Sequence, residues 1–471
     1  MRTMQVNNVA WVECKFIDDR MDSSSYITQI NMGLFDLYKK ESTDFQIKTL
    51  DDICNKIIDG PFGSDILEED YVEQGVPFIR VQNITEYGFE DSNLVFISEK
   101  ANKRIIRSEC RPGDLVFTKT GRLGTVCVLN NEYSNYNIRG DLAKLQLKSH
   151  IDPYYVMSYL NSNFGTKITN SYSSGSTRGR ILISNIKKIF TPIPSPEIQK
   201  CIGDKVRKAE ELREEAKRLK KEAEEVLSEK LNVKELLLKI NKYTEKHNWI
   251  NDSDINDRMD ALYYNPQKTI IRRFYKKYDL RKLNTLVDYK KGFAFKSEDY
   301  CHSSTNTFLL RVSDISNNEV NMDNMIKLSD KFYQEYIDFN LFNEDIVMVV
   351  TGNTTGKSVI INNSKSKLLL NQNAIRMRLK DGTNVSTYYI ELILQSQYFQ
   401  TLLKYSLYQS VQPFISMEFL NEVKIPIIDK IEREDISNLY KKSLNNLFYS
   451  KQLIQEAKQD VEDLIEGNFD M

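Results

Sequence analysis

A chain of 471 residues that is 41% hydrophobic and 28% charged, with 18 Gly and 10 Pro, is a folded protein of roughly two to four globular units and not a disordered one. Its formal net charge of -1 excludes a surface that grips phosphate everywhere, so any nucleic-acid contact must come from a local patch. Six scattered cysteines without a Cys-x-x-Cys spacing and three histidines far apart point to reduced thiols and no zinc site.

From the start, Met1 to Lys15 lack the apolar core of a signal peptide, and no run of about 18 apolar residues follows. A cytoplasmic protein is expected. Residues 1–44 read as an N-terminal arm containing Asp19-Arg20-Met21-Asp22, Tyr26 and Tyr38-Lys39-Lys40. A first globular region, 45–196, begins with short β-like runs such as Val76 to Val81, Leu115 to Thr118 and Thr125 to Leu129. Thr120-Gly121-Arg122-Leu123-Gly124-Thr125 interrupts them as a tight turn, with glycine supplying positive φ. Helical sequence follows over Tyr154 to Leu160, capped by Asp152 with Pro153 in the first turn. A polar tract, Tyr172 to Arg180, precedes the last strand, which ends in Ile193-Pro194.

Next, 197–235 reads as a long helix. Ile202, Val206, Ala209, Leu212, Ala216, Leu219, Ala223 and Val226 step by three or four, making one narrow apolar stripe between charged residues. A connecting segment, 236–277, repeats the arm with Asp257-Arg258-Met259-Asp260, Tyr263-Tyr264 and Tyr275-Lys276-Lys277. The second globular region, 278–428, repeats the first in the same order. Arg311-Val312-Ser313-Asp314-Ile315 answers Arg80-Val81-Gln82-Asn83-Ile84, and Asp345-Ile346-Val347-Met348 before Thr351-Gly352 answers Asp114-Leu115-Val116-Phe117 before Thr120-Gly121. Tyr388-Tyr389 answers Tyr154-Tyr155, and Ile425-Pro426 answers Ile193-Pro194. The chain closes on a helix over 429–471, whose stripe of Ile436, Leu439, Ser443, Leu447, Ser450, Ile454, Ala457, Val461 and Leu464 is more polar.

One short match would mean nothing, but a series in one order makes the chain an internal duplication. Strands come early and helices late in each half, so the fold class is α+β. Either long helix alone would be a surface helix of its own domain. Their recurrence at equivalent places favours packing on each other, and about 36 residues at about 1.5 Å each would make a spacer of roughly 50 Å.

The catalytic motifs fail in turn. Thr351-Gly352-Asn353-Thr354-Thr355-Gly356-Lys357-Ser358 lacks the first glycine of a phosphate-binding loop. Asp152-Pro153-Tyr154-Tyr155 lacks the second proline of an amino-methyltransferase motif, and Glu13-Cys14-Lys15 is too thin for a nuclease centre. What remains is binding. The turn after Thr-Gly and the polar tract carry Arg, Lys, Asn, Gln, Ser and Thr, side chains that reach phosphates and base edges, although a plain hairpin and a solvated loop would look the same. The candidate DNA contacts are Arg80, Gln82, Asn83, Lys119, Arg122, Ser176, Thr177 and Arg178 in the first half. In the second they are Arg311, Ser313, Asn353, Thr354, Lys357, Gln409 and Gln412.

The chain resembles the specificity subunit of type I restriction-modification enzymes. The resemblance is carried by Gly60-Pro61-Phe62-Gly63-Ser64, by Gly75-Val76-Pro77 through Arg80 with Asn83-Ile84, and by Gly113-Asp114-Leu115-Val116-Phe117. Ser174-Gly175-Ser176-Thr177, Ile193-Pro194 and the helix after them complete it, while the second half matches more loosely, with Gly292-Phe293-Ala294-Phe295 and no Ser-Gly-Ser-Thr. The resemblance implies two target-recognition domains separated by two long conserved helices packed as an antiparallel coiled coil. It implies a subunit with no metal, cofactor or activity of its own. Two adenine methyltransferase subunits, carrying S-adenosylmethionine, would dock on the helices, and a restriction subunit can join them. The docking residues would be Val206, Leu212, Leu219, Val226, Leu439, Leu447, Ile454 and Val461. The target would be bipartite double-stranded DNA, whose adenine the methyltransferase flips out of the stack. A self-contained DNA modification or cleavage enzyme and a two-lobed protein-binding scaffold are the rival readings.

Overall fold

The computed structural model describes residues 45–61, 63–173, 179–243, 250, 255, 264–301, 305–316, 319–322, 325–362, 366–407 and 413–470. Both Asp-Arg-Met-Asp strings, and the 1–44 arm, lie outside them. The chain divides into two compact units, residues 1–214 with 449–471 and residues 215–448. The boundary differs from the expected one because each long helix, Pro196–Lys230 and Lys430–Glu466, gives part of its length to either unit.

In unit 1 the first and last strands of the recognition region, Phe45–Thr49 and Phe190–Pro194, pair antiparallel. Between them lies a four-stranded antiparallel sheet ordered Val126–Val128, Leu115–Thr118, Leu142–Leu147, Cys54–Asp59. A five-stranded sheet runs Tyr71–Val72, Val95–Ile97, Val76–Ile79, Tyr136–Ile138, Glu109–Cys110, with one parallel pairing at its centre. Short runs of Val, Ile, Phe and Leu set between Gly, Asn and Asp fit these strands because branched and aromatic side chains fill a pleated, half-buried surface. The helix Pro153–Asn161 starts as its sequence indicates, Asp152 accepting from the Tyr154 and Tyr155 amides.

Unit 2 repeats the pattern. Asp279–Lys282 pairs with Lys424–Ile427. The four-stranded sheet is Ser358–Ile360, Ile346–Val349, Ala374–Leu379, Val287–Lys291, and the five-stranded one is Tyr300–Cys301, Ile326–Leu328, Thr307–Leu310, Lys367–Leu370, Asn340–Leu341. The parallel pairing recurs at the same place. Small details recur too. The Tyr155 hydroxyl donates to the Pro192 carbonyl at 2.6 Å, and that of Tyr389 to the Pro426 carbonyl at 2.8 Å. Asp114 is paired by Lys144 at 3.0 Å, whereas Asp345 is gripped at both oxygens by Arg378, two residues further along the corresponding strand and so on the same face.

Inside each unit the two long helices run antiparallel. Unit 1 places Ser450 on Ala209 and Asp460 beside Lys205, and unit 2 places Ser443 on Ala216 and Glu432 beside Lys230. The contact is close because the facing residues are small, and both serine hydroxyls donate to helix carbonyls, at 2.8 Å to Ala209 and 2.7 Å to Ala216. The seam differs in detail from the expected stripe. Leu227 and Tyr440 are buried where Val226 and Leu439 are only half-buried. The central helix also ends earlier than expected, at Lys230, because Asn232 turns left-handed (φ 50°) before a separate helix, Val233–Lys242.

Two predictions follow from this packing. Ala209→Leu forces a large side chain into a seam with no room and should cost about 1–3 kcal/mol in denaturant unfolding of unit 1, whereas Leu at exposed Glu211 should change little. In unit 2, burial pushes the Glu391 carboxyl up from 4.5 to about 7. Its proton is therefore held more tightly folded than unfolded, so stability falls as pH rises from about 4.5 to 7, by about 3 kcal/mol in all. Glu391→Gln should gain stability over the native chain at pH 8 and lose most of that gain at pH 4.5. Thermal unfolding at the two pH values reads the difference, and an equal gap at both would contradict it.

Candidate nucleic-acid interface

One end of each four-stranded sheet gathers turns from several strands. In unit 1 the Gly60 amide donates to the Leu142 carbonyl, Lys119 to Asp141, Arg139 to Ile79 and Ile181 to Lys119, while Thr120 bridges Arg180. The turn after Leu115–Thr118, the loop Arg139–Asp141, the start of the 3-10 turn at Arg80 and the segment at Arg180 are therefore neighbours. In unit 2 the same bonds join Gly292 to Ala374, Val350 to Asn373, Asn371 to Leu310 and Ile415 to Val350, with Thr351 bridging Phe414. The two frames repeat the same set of backbone hydrogen bonds.

Glycine makes this close assembly possible at two equivalent places. A Cβ on Gly60 would lie 2.2 Å from the Arg139 carbonyl oxygen, and one on Gly292 would lie 2.1 Å from that of Asn371. The turns themselves need positive φ at Gly121 (75°) and Gly124 (81°), and at Gly352 (112°) and Gly356 (92°). The second turn holds one more residue. Thr118 and Val349 are equivalent, their amides bonding Thr125 and Lys357 respectively.

The candidate contacts divide into several groups. Gln82, Arg122, Ser313, Asn353 and Lys357 are exposed at this end, and Thr354 is half-buried in its turn. Arg80 is half-buried, its guanidinium donating to the Asn93 carbonyl at 2.5 Å. Its counterpart Arg311 is paired with Asp314 through two bonds of 3.1 and 2.9 Å. Two residues are corrected outright. Asn83 is fully buried, its amide nitrogen donating to the Glu90 and Ser92 carbonyls and its oxygen accepting from the Arg80 amide, so it holds the turn shape. Lys119 is 2% exposed and paired with Asp59. Burial lowers its ammonium to about 8, with Arg180 adding to the shift and Asp141 opposing it. Ser176, Thr177, Arg178, Gln409 and Gln412 lie outside the described residues.

The frame also brings in Arg139 and Phe414, which sequence reading passed over, together with Arg180, the last residue of the polar tract. Arg139 is exposed, with Asp141 at 3.6 Å, and Arg180 and Phe414 are exposed at matching bridges. Their signal lies only in register: Arg139-Gly140-Asp141 and Asn371-Gln372-Asn373 stand immediately before equivalent strands. On the helices, Val206, Leu219, Ile454 and Val461 are 1, 3, 2 and 0% exposed. They are therefore corrected as docking residues, since the chain itself covers them. Leu212, Val226, Leu439 and Leu447 are half-buried.

What the arrangement can do is contact a polar, anionic surface. Among the described residues no group of three or more His, Cys, Asp or Glu side chains could hold a metal ion, and no helix is long and apolar enough to cross a membrane.

Comparison with known proteins matches this division. The chain is 25% identical over 170 residues to the Type I restriction enzyme EcoBI specificity subunit of Escherichia coli, covering 36% of this chain and 35% of that protein. It is 23% identical over 195 residues to the MjaVIII specificity subunit of Methanocaldococcus jannaschii, covering 40% and 45%. The matched segments thus span less than half of either relative. Among solved structures, the type I restriction-modification S subunit from M. genitalium shares 13% identity at a TM-score of 0.44, over 92% of this chain and 98% of that one. The HsdS subunit from Thermoanaerobacter tengcongensis shares 13% at 0.31, over 91% and 98%. The family model described as Type I restriction modification DNA specificity domain matches twice, over residues 42–225 and 275–459. With one copy over each recognition region and its helix, the chain belongs to the type I restriction-modification DNA specificity family.

Proposed function

We propose that this chain is the DNA sequence-specificity subunit of a type I restriction-modification system, each unit reading one half of a bipartite double-stranded target. The observation that carries the reading is a duplicated backbone frame that holds different exposed side chains at the same positions, Arg180 against Phe414 and Gln82 against Ser313. A frame that is constant while its tips differ suits paired readers of two different sequences. The exposed tips offer hydrogen-bonding and cationic groups, and a chain of net charge -1 then depends on partners for part of its grip on phosphate.

The chain is not itself the catalyst. Two adenine methyltransferase subunits dock on the helices and bring S-adenosylmethionine, and a restriction subunit can join the assembly. Because the apolar stripes are spent within the chain, docking falls to the outer helix faces, where Glu211, Arg218, Lys221 and Glu222 are exposed.

Exchanging residues 45–196 for the same unit of a related chain should change one half of the methylated motif and leave the other, as read by mapping modified adenines across a host genome. A change in both halves would contradict independent reading. The purified chain, given labelled methyl donor and duplex DNA, should show no turnover alone. Measurable transfer would instead make it a self-contained enzyme.

A further inference from the structure

The equivalence of the two frames permits a sharper comparison, because it says which side chain replaces which. The Thr120 and Thr351 bridges make Arg180 and Phe414 counterparts. The Lys119–Asp141 and Val350–Asn373 bonds make Asp141 and Asn373 counterparts, and the bonds to Ile79 and Leu310 do the same for Arg139 and Asn371. The turns differ in length by one residue, and the bonds that close them, from the Thr125 amide to the Arg122 carbonyl and from the Lys357 amide to the Thr354 carbonyl, match Arg122 with Thr354. Unit 1 therefore presents three arginines, Arg122, Arg139 and Arg180, all exposed. At the matching places unit 2 has the half-buried Thr354, the buried Asn371 and Phe414, which is 49% exposed, while Asn353 and Asn373 stand exposed beside them. Phe414 thus places an exposed aromatic ring where unit 1 has an arginine.

The chemistry of base edges gives this difference a meaning. Guanidinium groups match the two major-groove acceptors of guanine, carboxamides match the donor and acceptor of adenine, and apolar side chains meet the thymine methyl group. We propose that Phe414 is a specificity-determining residue, seating its ring on a thymine methyl group in a half-site of A·T pairs that Asn353 and Asn373 also read. Unit 1, through Arg122, Arg139 and Arg180, reads a half-site containing guanine. Lys291 and Lys357, exposed in unit 2, supply phosphate contacts there, which carry no sequence information.

This rests on the specificity-subunit reading, and the experiment separates the two. The full chain, alone and with its methyltransferase subunits, selects from a randomised duplex DNA library. Failure to enrich any sequence defeats the specificity reading itself. Enrichment of a bipartite motif sustains that reading and exposes the inference to test. One half should contain guanine and the other should be A·T pairs. Replacing thymine by deoxyuridine in the A·T half should weaken binding roughly tenfold, and Phe414→Ala should weaken the native site to a similar degree and abolish the response to deoxyuridine. Phe414→Leu, which keeps an apolar contact, should retain that response. Arg122→Ala and Arg180→Ala should relax selection in the guanine half only. Guanine required in both halves, no response to deoxyuridine, or an equal loss from Phe414→Ala on native and deoxyuridine sites would overturn the proposal. So would loss from the arginine variants that is uniform across sequences, since that marks phosphate contacts.

Discussion

Two helices lie against each other as closely as these do only where the facing side chains are small. Ala209 and Ala216 on one helix meet Ser450 and Ser443 on the other, and each serine turns its hydroxyl onto a carbonyl across the seam. A buried hydroxyl without a partner would cost stability, whereas one bonded to a carbonyl at a fixed rung contributes about 1 kcal/mol and tolerates no slip. The sheets depend on this seam. In unit 1, Ile202, Val206 and Ala209 from one helix, with Ile454, Ala457 and Val461 from the other, share a core with Tyr155, Leu115 and Phe117. In unit 2, Ala223 and Leu227 with Ile436 and Tyr440 enter the core that contains Tyr389, Ile346 and Met348.

On that base the units share their strand order and differ in their surfaces and in the length of one turn. Strand orders, the central parallel pair, the tyrosine-to-proline-carbonyl bonds and the positive-φ glycines recur. These are features that side chains at turn tips do not influence. A buried frame fixed by backbone hydrogen bonds leaves exposed tips free to vary at little cost in stability, since surface substitutions away from such frames usually matter little. That separation is the physical basis for one fold reading two sequences.

Much of this was legible in the sequence, and the failures are instructive. The repeat and the helix stripes announced the duplication because they depend on periodicity, which survives without knowledge of contacts. Asn83 deceived because it stands in a polar string that recurs in both halves, and Lys119 because a polar residue beside a glycine-rich turn reads as exposed. Here one closes the turn against Glu90 and Ser92, and the other is buried against Asp59. Arg139 and Phe414 escaped because their positions are set by pairing across long sequence separations. Val206 and Val461 were correctly read as one face of a helix, but periodicity does not say which neighbour covers that face.

The composition of unit 1 has a consequence for how the protein is made. Its core draws on Ile454, Ala457, Val461 and Leu464, and Ser450 meets Ala209 across 241 residues of intervening chain. Unit 2, by contrast, is one continuous stretch of sequence. During synthesis from the N-terminus, the first recognition region emerges early yet waits for the closing helix to cover its apolar face, while the second unit is complete before that helix is finished. The region translated first is therefore the last to be sealed, and until then its helix face is apolar surface open to solvent.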